Sequence, residues 1–306
     1  VKAWLVPAGS PSALFPLTCT RPLAACPVAN RPLATAQRER LAEAGLEDPG
    51  NRDPDGAELG LWQSGAAWVS VTCLRQLAAG TVPALVAGPA GTPLAWTGRQ
   101  AAPPAAATVL AADRESFALC YPWDLLRLNE MLVGALSEDR VEGAVRPGVV
   151  LDGHLTLGPG SILLPGVYLE GNAVIGCDCK IGPNCYLRGQ TAIGDGCHVG
   201  NAVEIKNSIL LPGAAIGHLS YCGDSIVGAQ TNFGAGTITA NFRHDGRPHR
   251  SMVDGVLVDT GRRKFGAILG DDVHTGIHTA IYPGRKIWPH LSTLPGEVVS
   301  RDLMPG

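Results

Sequence analysis

Residues 157–205 read LGPGSILLPGVYLEGNAVIGCDCKIGPNCYLRGQTAIGDGCHVGNAVEI. An aliphatic side chain returns at every sixth position: Leu157, Leu163, Leu169, Ile175, Ile181, Leu187, Ile193, Val199 and Ile205. The next residue is often glycine (Gly158, Gly176, Gly182, Gly194, Gly200), and the fourth is small or branched (Ser161, Val167, Ala173, Cys179, Cys185, Thr191, Cys197, Val203). The beat continues through Leu210, Ile216, Cys222, Val227 and Phe233, with five-residue steps before Leu210 and before Val227. After an interruption it resumes at Leu269, Thr275, Ile281, Ile287, Thr293 and Val299. A short fixed period marks a solenoid, in which each repeat buries its apolar face only against its neighbours. Three six-residue strands make one triangular coil with the aliphatic side chains inside. Glycine at the corners is expected to permit the tight turn. The predicted fold is mainly β: a left-handed parallel β-helix of hexapeptide repeats, preceded by a small α/β region.

The bulk numbers agree with such a chain. Its 306 residues suffice for one large domain or two ordinary ones. Only 5% are aromatic, against 39 Gly and 24 Pro, which suits short strands and turns. The formal charge of −3, from 24 basic and 27 acidic residues, suggests neither a nucleic acid nor an anionic membrane as partner. No signal-like apolar core opens the chain, and no apolar run approaches the ~20 residues that span a bilayer. The nine cysteines form no paired C-x-x-C pattern, so reduced cytoplasmic thiols are expected. Cys179 and Cys197 are expected to stack on successive coils at the inward small position, where packing explains them better than a metal. No metal is expected.

Upstream, residues 3–6 read as a strand and 31–46 as an amphipathic helix, with Pro32 near its start and Gly45 near its end. Residues 49–56 read as a loop. Residues 67–72 and 82–86 suit strands, with 71–79 a competing short helix. The Ala- and Pro-rich 101–107 reads as a linker, and 121–136 as a helix on the spacing of Leu125, Leu128, Leu132 and Leu136. The expected divisions are 1–118, a connecting helix within 119–142, and the β-helix from 143 to 306.

The segments L-V-P-A-G (5–9), L-F-P-L-T (14–18), T-R-P (20–22) and P-V-A-N-R-P-L (27–33) resemble the opening of sugar-1-phosphate nucleotidyltransferases. That family carries L-A-A-G-x-G-T-R-L-x-P-L-T and then R-P-K-P, whose amides, Arg and Lys hold nucleotide phosphates. Here Ser10, Pro11, Ser12 and Ala13 occupy the x-G-T-R stretch, and Leu23 stands at the lysine. The resemblance therefore implies a degenerate, truncated remnant that has lost nucleotidyl transfer.

The segments G-N-A-V-E-I-K-N-S (200–208), G-H-L-S-Y-C-G-D (217–224) and T-N-F-G-A-G-T-I-T-A-N-F (231–242) closely resemble another family. It is the acetyltransferase half of bacterial bifunctional N-acetylglucosamine-1-phosphate uridyltransferase/glucosamine-1-phosphate acetyltransferases. T-A-N-F-R-H-D and D-T-G-R-R-K-F-G are closer still to the archaeal-type enzymes. The resemblance implies direct acetyl transfer from acetyl-CoA to the amine of an amino-sugar-1-phosphate, glucosamine- or galactosamine-1-phosphate. It implies a homotrimer with sites between subunits. His218 matches the general base, and Glu204 the carboxylate that orients it or binds the amine. Asn232 and Asn241 match residues that touch the sugar and the acyl carbonyl. Arg188, Lys206, Tyr221 and Arg247 match the sugar-phosphate site, with Arg247 in place of a lysine. Ala235 matches an amide facing the thioester, and Ile277 and Pro295 match contacts to the pantetheine arm. On the insertion 250–264, expected as a loop or hairpin, Arg262, Arg263 and Lys264 suit either the phosphates of coenzyme A or a solvated basic run. The family's basic C-terminal tail has no counterpart up to Gly306, which would weaken the hold on the nucleotide end of coenzyme A. A second reading is a non-catalytic trimeric subunit that binds a sugar phosphate or nucleotide sugar and regulates a partner enzyme.

Overall fold

The computed structural model describes residues 1–50 and 59–306, so most of the expected loop 49–56 lies outside the described residues. The chain divides into two units. One comprises residues 1–11, 22–26 and 31–120; the other comprises 12–21, 27–30 and 121–306.

The first unit is a five-stranded mixed sheet in the spatial order Ala3–Val6, Gly60–Ser64, Pro93–Gly98, Ala84–Ala87, Thr108–Ala111. Helices α1 (Leu33–Glu43) and α2 (Val71–Ala79) accompany it. Helix α1 is shorter than the predicted 31–46. Residues Arg31–Pro32 pair as a short strand, and Gly45 at φ +79° closes the other end. Between the strand expected over 67–72 and the competing helix, the helix takes Val71 onward. Ser70 caps it, its hydroxyl accepting from the Cys73 N–H at 3.0 Å. Ala67–Trp68 remains as a short strand. Trp4 and Trp62 stack with ring centroids 5.0 Å apart on one side of the sheet, joined by the buried Trp96.

The second unit is a parallel β-helix. Its coils stack three sheets of eight, six and eight strands, here called the first, second and third faces. The register follows the hexads: Leu169 pairs with Leu187, and Leu187 with Ile205. The predicted inward aliphatics form one continuous buried core from Leu155 to Val299. The small positions, Cys179 and Cys197 among them, are buried in it too. Helix α3 (Pro122–Gly134) packs within this unit. Its Asn129 side chain donates to the Gln190 carbonyl at 3.0 Å, and Asn172 donates to the Val133 carbonyl at 3.1 Å. From Ala192 upward the first face is buried on both sides, while Arg140–Val141 on its lowest coil is exposed. Ala192, Ile209, Ile226 and Ile268 point outward next to the inward aliphatics, yet none is more than 1% exposed. Adjacent aliphatic pairs such as Ile209–Leu210 and Ile226–Val227 are the sequence trace of that double burial. Among the described residues, no helix is long and apolar enough to cross a membrane.

The glycines after the aliphatic positions serve a different purpose from the predicted turn. Of those quoted, Gly182 alone takes a left-handed φ, +97°. The left-handed residue is usually two positions later: Gly160, Gly166, Asp178, Asn184, Gly196, Ala202. At Gly200 the requirement is space, because a Cβ there would lie 1.9 Å from the Gly217 carbonyl oxygen of the next coil. The obstacle is backbone, which cannot rotate aside as a side chain would. Gly200→Ala should therefore lower stability by about 1–3 kcal/mol, measured as a fall in denaturant midpoint. Gly217→Ala, with nothing within 4 Å, is the matched control and should cost far less.

Candidate functional site

The third face carries two outward columns. One runs Tyr168, Tyr186, Glu204, Tyr221, Ile238, and the other Asp152, Glu170, Arg188, Lys206, Gly223. The register thus brings Arg188, Glu204, Lys206 and Tyr221 onto one surface, and Asn241 joins them from the coil above. Its amide donates to the Tyr221 hydroxyl at 2.7 Å.

The network is fixed at the corner leading from the third face to the first. Both five-residue steps fall at this corner. Asn207 and Asp224 occupy it with φ of +48° and +49°. The shortened turn pulls Asp224 inward until its side chain is 2% exposed. Its carboxylate accepts from Lys206 Nζ at 2.8 Å, from Asn241 Nδ2 at 2.6 Å and from Asn207 Nδ2 at 3.1 Å. Asn207 also donates to Glu130 of α3 at 2.5 Å, and Glu130 holds Arg262. Asp224 and Glu130 are the residues that sequence reasoning missed. The G-D at 223–224 was part of the quoted motif, and the five-residue step beside it was the available signal. Glu130 had none.

Arg188 pairs with Glu204 through Nε at 2.7 Å. Burial pulls the guanidinium pKa down, but the hydrogen bond and charge of Glu204 outweigh it and raise it overall. The Tyr221 phenol is pushed up to about 12, by burial first and then by the carboxylates of Asp224 and Glu204. It therefore keeps its proton at neutral pH and remains able to donate.

His218 ends the second-face strand Ala215–His218, at the edge shared with the third face. It is exposed, and its ring makes no hydrogen bond to any described residue. Glu204, expected to orient this histidine or bind the amine, has its carboxylate paired with Arg188. His198 on the preceding coil has its pKa lowered by burial, by Lys180 and by the neighbouring His218. Up the same edge, Gly236 N–H donates to the His218 carbonyl, His278 N–H to the Ala235 carbonyl at 2.8 Å, and Gly296 N–H to the Ile277 carbonyl at 2.8 Å. Ala235, Ile277 and Pro295 thus follow His218 in a line, with Ile277 52% exposed. The Ala235 N–H donates to no described residue. Asn232 lies on the second face, exposed, paired with Ala215 below and His274 above.

The insertion is an antiparallel hairpin, Arg250–Val253 with Val256–Asp259, and it returns at the opposite edge of the third face. Phe265 N–H donates there to the Asn241 carbonyl, and Gly266 N–H to the Asp224 carbonyl. The basic run is therefore not beside Ala235, Ile277 and Pro295 within one chain, and its members have other partners. Arg262 is held by Glu130, Arg263 donates to the Gly246 carbonyl at 3.1 Å, and Lys264 Nζ sits 3.9 Å from the Phe242 ring centroid. Arg247 is exposed in the loop before the hairpin, its N–H donating to Asp245 at 3.1 Å. Among the described residues no group of three His, Cys, Asp or Glu side chains is arranged to hold a metal.

Fold and site together define a hexapeptide-repeat β-helix with a polar third face and a histidine at its edge. Residues 165–293 match the family described as the GMPPB C-terminal domain. A protein of Methanococcus maripaludis named bifunctional protein GlmU is 54% identical over 167 residues, 55% of this chain and 40% of that protein. Its namesake in Methanocaldococcus jannaschii is 40% identical over 182 residues, 60% of this chain and 44% of that protein. A bifunctional sugar-1-phosphate nucleotidylyltransferase/acetyltransferase of Sulfurisphaera tokodaii is 46% identical over 102 residues, 33% of this chain and 25% of that protein. The hexapeptide-repeat half is thus related to these bifunctional proteins, and the chain matches less than half the length of each.

Two outcomes follow from the network. Asp224→Asn removes the charge that faces Lys206 and should cost about 1–3 kcal/mol by denaturant titration, a loss partly relieved in the double variant with Lys206→Met. Because the folded phenol titrates above its ordinary value of 10, Tyr221 contributes stability that is complete below pH 10 and is lost as pH rises towards about 12. Tyr221→Phe should flatten that part of the alkaline decline, as read from urea midpoints across the same range.

Proposed function

We propose that this chain is an acetyl-CoA-dependent N-acetyltransferase acting on an amino-sugar phosphate, with His218 as general base. The observation that carries the reading is the line of His218 and the undonated Ala235 N–H beside the cations of the third face. Kinship with proteins named as acetyltransferases supports it. In this reading the sugar nitrogen attacks the thioester carbonyl carbon, and the C–N bond forms. The imidazole takes the proton that the nitrogen sheds. The developing oxyanion is met by the Ala235 N–H and the Asn232 amide. The C–S bond then breaks, and coenzyme A leaves as a thiolate that takes up a proton. Arg188, Lys206, Tyr221 and Arg247 hold the phosphate, the first two by turning part of their hydrogen bonding from Glu204 and Asp224 to the ligand. Ile277 and Pro295 line the path of the pantetheine arm. Cys222, next to Tyr221, is not a candidate for an acyl-enzyme. Its thiol is fully buried inside the coil and pushed up to about 12 by burial.

Release of free coenzyme A thiol from acetyl-CoA with glucosamine- or galactosamine-1-phosphate tests this. His218→Ala is exposed and should fold normally, while turnover falls by about 10²-fold or more. Turnover unchanged in that variant rejects the histidine as base. One observation favours the binding-only alternative: Glu204 turns to Arg188 and leaves the His218 ring without a hydrogen bond. Tight binding of a sugar phosphate with no turnover is its signature.

A further inference from the structure

Beside the third face runs an open groove of about 450 Å³, within the range of small-molecule sites. Its lining runs from Gly166 and Tyr168, through Tyr186 and Glu204, to Tyr221 and Ile238. The column Tyr168, Tyr186, Glu204, Tyr221, Ile238 steps up one coil at a time, so at the usual strand spacing the groove extends roughly 19 Å. An amino-sugar phosphate at His218 and Tyr221 fills about two of those spacings and leaves the lower end empty.

The lower end has its own chemistry. Tyr168 and Tyr186 meet edge to face with centroids 5.7 Å apart, and Tyr168 is 39% exposed. Their hydroxyls are taken by carboxylates, Tyr168 donating to Asp152 at 3.4 Å and Tyr186 to Glu170. At the level of Tyr168 the neighbouring column carries Glu170, with Asp152 below it and no cation, so a phosphate is repelled there. An uncharged group with a flat ring and hydroxyl or amide donors is accepted. On the coil of Tyr186 itself stands Arg188, its guanidinium carbon 5.4 Å from the Tyr186 ring centroid, and Lys206 follows on the next coil. From bottom to top the coils carry Tyr168 with Glu170, Tyr186 with Arg188, Glu204 with Lys206, and then Tyr221, with His218 at the edge of that last coil.

We infer that the acceptor is a nucleoside-diphosphate-linked amino sugar, not a free sugar phosphate. The base stacks on the exposed Tyr168, the ribose hydroxyls donate to Asp152 or Glu170, and the diphosphate lies by Arg188 and Lys206 in the adjoining column. The sugar amine then reaches His218. Base-on-aromatic stacking tolerates any base, since each has a π face. The groove therefore selects the class and leaves the nucleobase open. This inference rests on the acetyl transfer proposed above and sharpens its substrate.

The test has a turnover arm and a binding arm. In the first, coenzyme A release is compared for glucosamine-1-phosphate, galactosamine-1-phosphate and the UDP-, GDP- and dTDP-linked amino sugars. At least one nucleotide-linked acceptor should have a kcat/KM tenfold or more above the sugar phosphates. Tyr168→Ala should collapse that ratio through KM, with kcat retained. In the second, calorimetric titration with UDP, GDP, CDP, dTDP and ADP, and with inorganic phosphate as control, should give binding of a nucleotide that Tyr168→Ala weakens at least tenfold. Transfer with a free sugar phosphate as the better acceptor overturns this inference and leaves the acetyltransferase reading standing. Absence of transfer to every acceptor overturns that reading. Failure of all five nucleotides to bind overturns the groove assignment whatever the turnover.

Discussion

Successive coils of the β-helix touch through bare backbone, and the rest of the structure depends on that closeness. At Gly200 no side-chain carbon fits below the carbonyl of Gly217, and Gly158, Gly194 and Gly228 are pressed in the same way. Such contact holds the parallel ladders in register, so residues one coil apart stand directly over one another. A column of side chains then acquires a fixed vertical order, and chemistry can be written along it. The interior supplies the cohesion through buried aliphatic columns, but it is uniform and carries no information about the site.

Departures from uniformity carry that information. Two corners are one residue short, at Asn207 and Asp224, and each turns through a left-handed backbone conformation. Asp224 is thereby drawn out of water. A buried carboxylate must find donors or neutralise. It finds Lys206, Asn207 and Asn241, and through Asn241 the hydroxyl of Tyr221. The polar third face is therefore preorganised from behind, by a residue that a ligand in front need never touch. Helix α3 extends the same support through Glu130, which reaches Asn207 and the arginine of the insertion.

The six-residue beat was legible because it reports a physical necessity, the inward column, repeated many times. The helices at Leu33–Glu43 and Pro122–Gly134 were legible for similar reasons of spacing, and both were drawn too long by a few residues. The glycines are visible in the sequence, but their reason is not. A sequence shows that a side chain is missing, not whether a turn or a neighbouring backbone forbids it. Arg188, Glu204, Lys206 and Tyr221 could be gathered by counting along the repeat. The Arg188–Glu204 pairing could not, because two cations among the carboxylates Glu170, Glu204 and Asp224 allow more than one partition. Glu130 lies far from Asn207 in sequence, and nothing local marks it. The partners of the basic run 262–264 could not be read off, because position along the chain says little about which edge of the prism its hairpin returns to.

The upper coils of the first face are closed over. Its outward isoleucines are as dry as its inward leucines, so this side behaves as the middle layer of a sandwich. A triangular prism offers three equivalent walls for lateral association, and here one has already been spent. Along those coils the second and third faces stay open, as does the edge where His218, Ala235 and Ile277 line up. Which walls of the upper prism can meet a neighbour is thus decided within the chain itself.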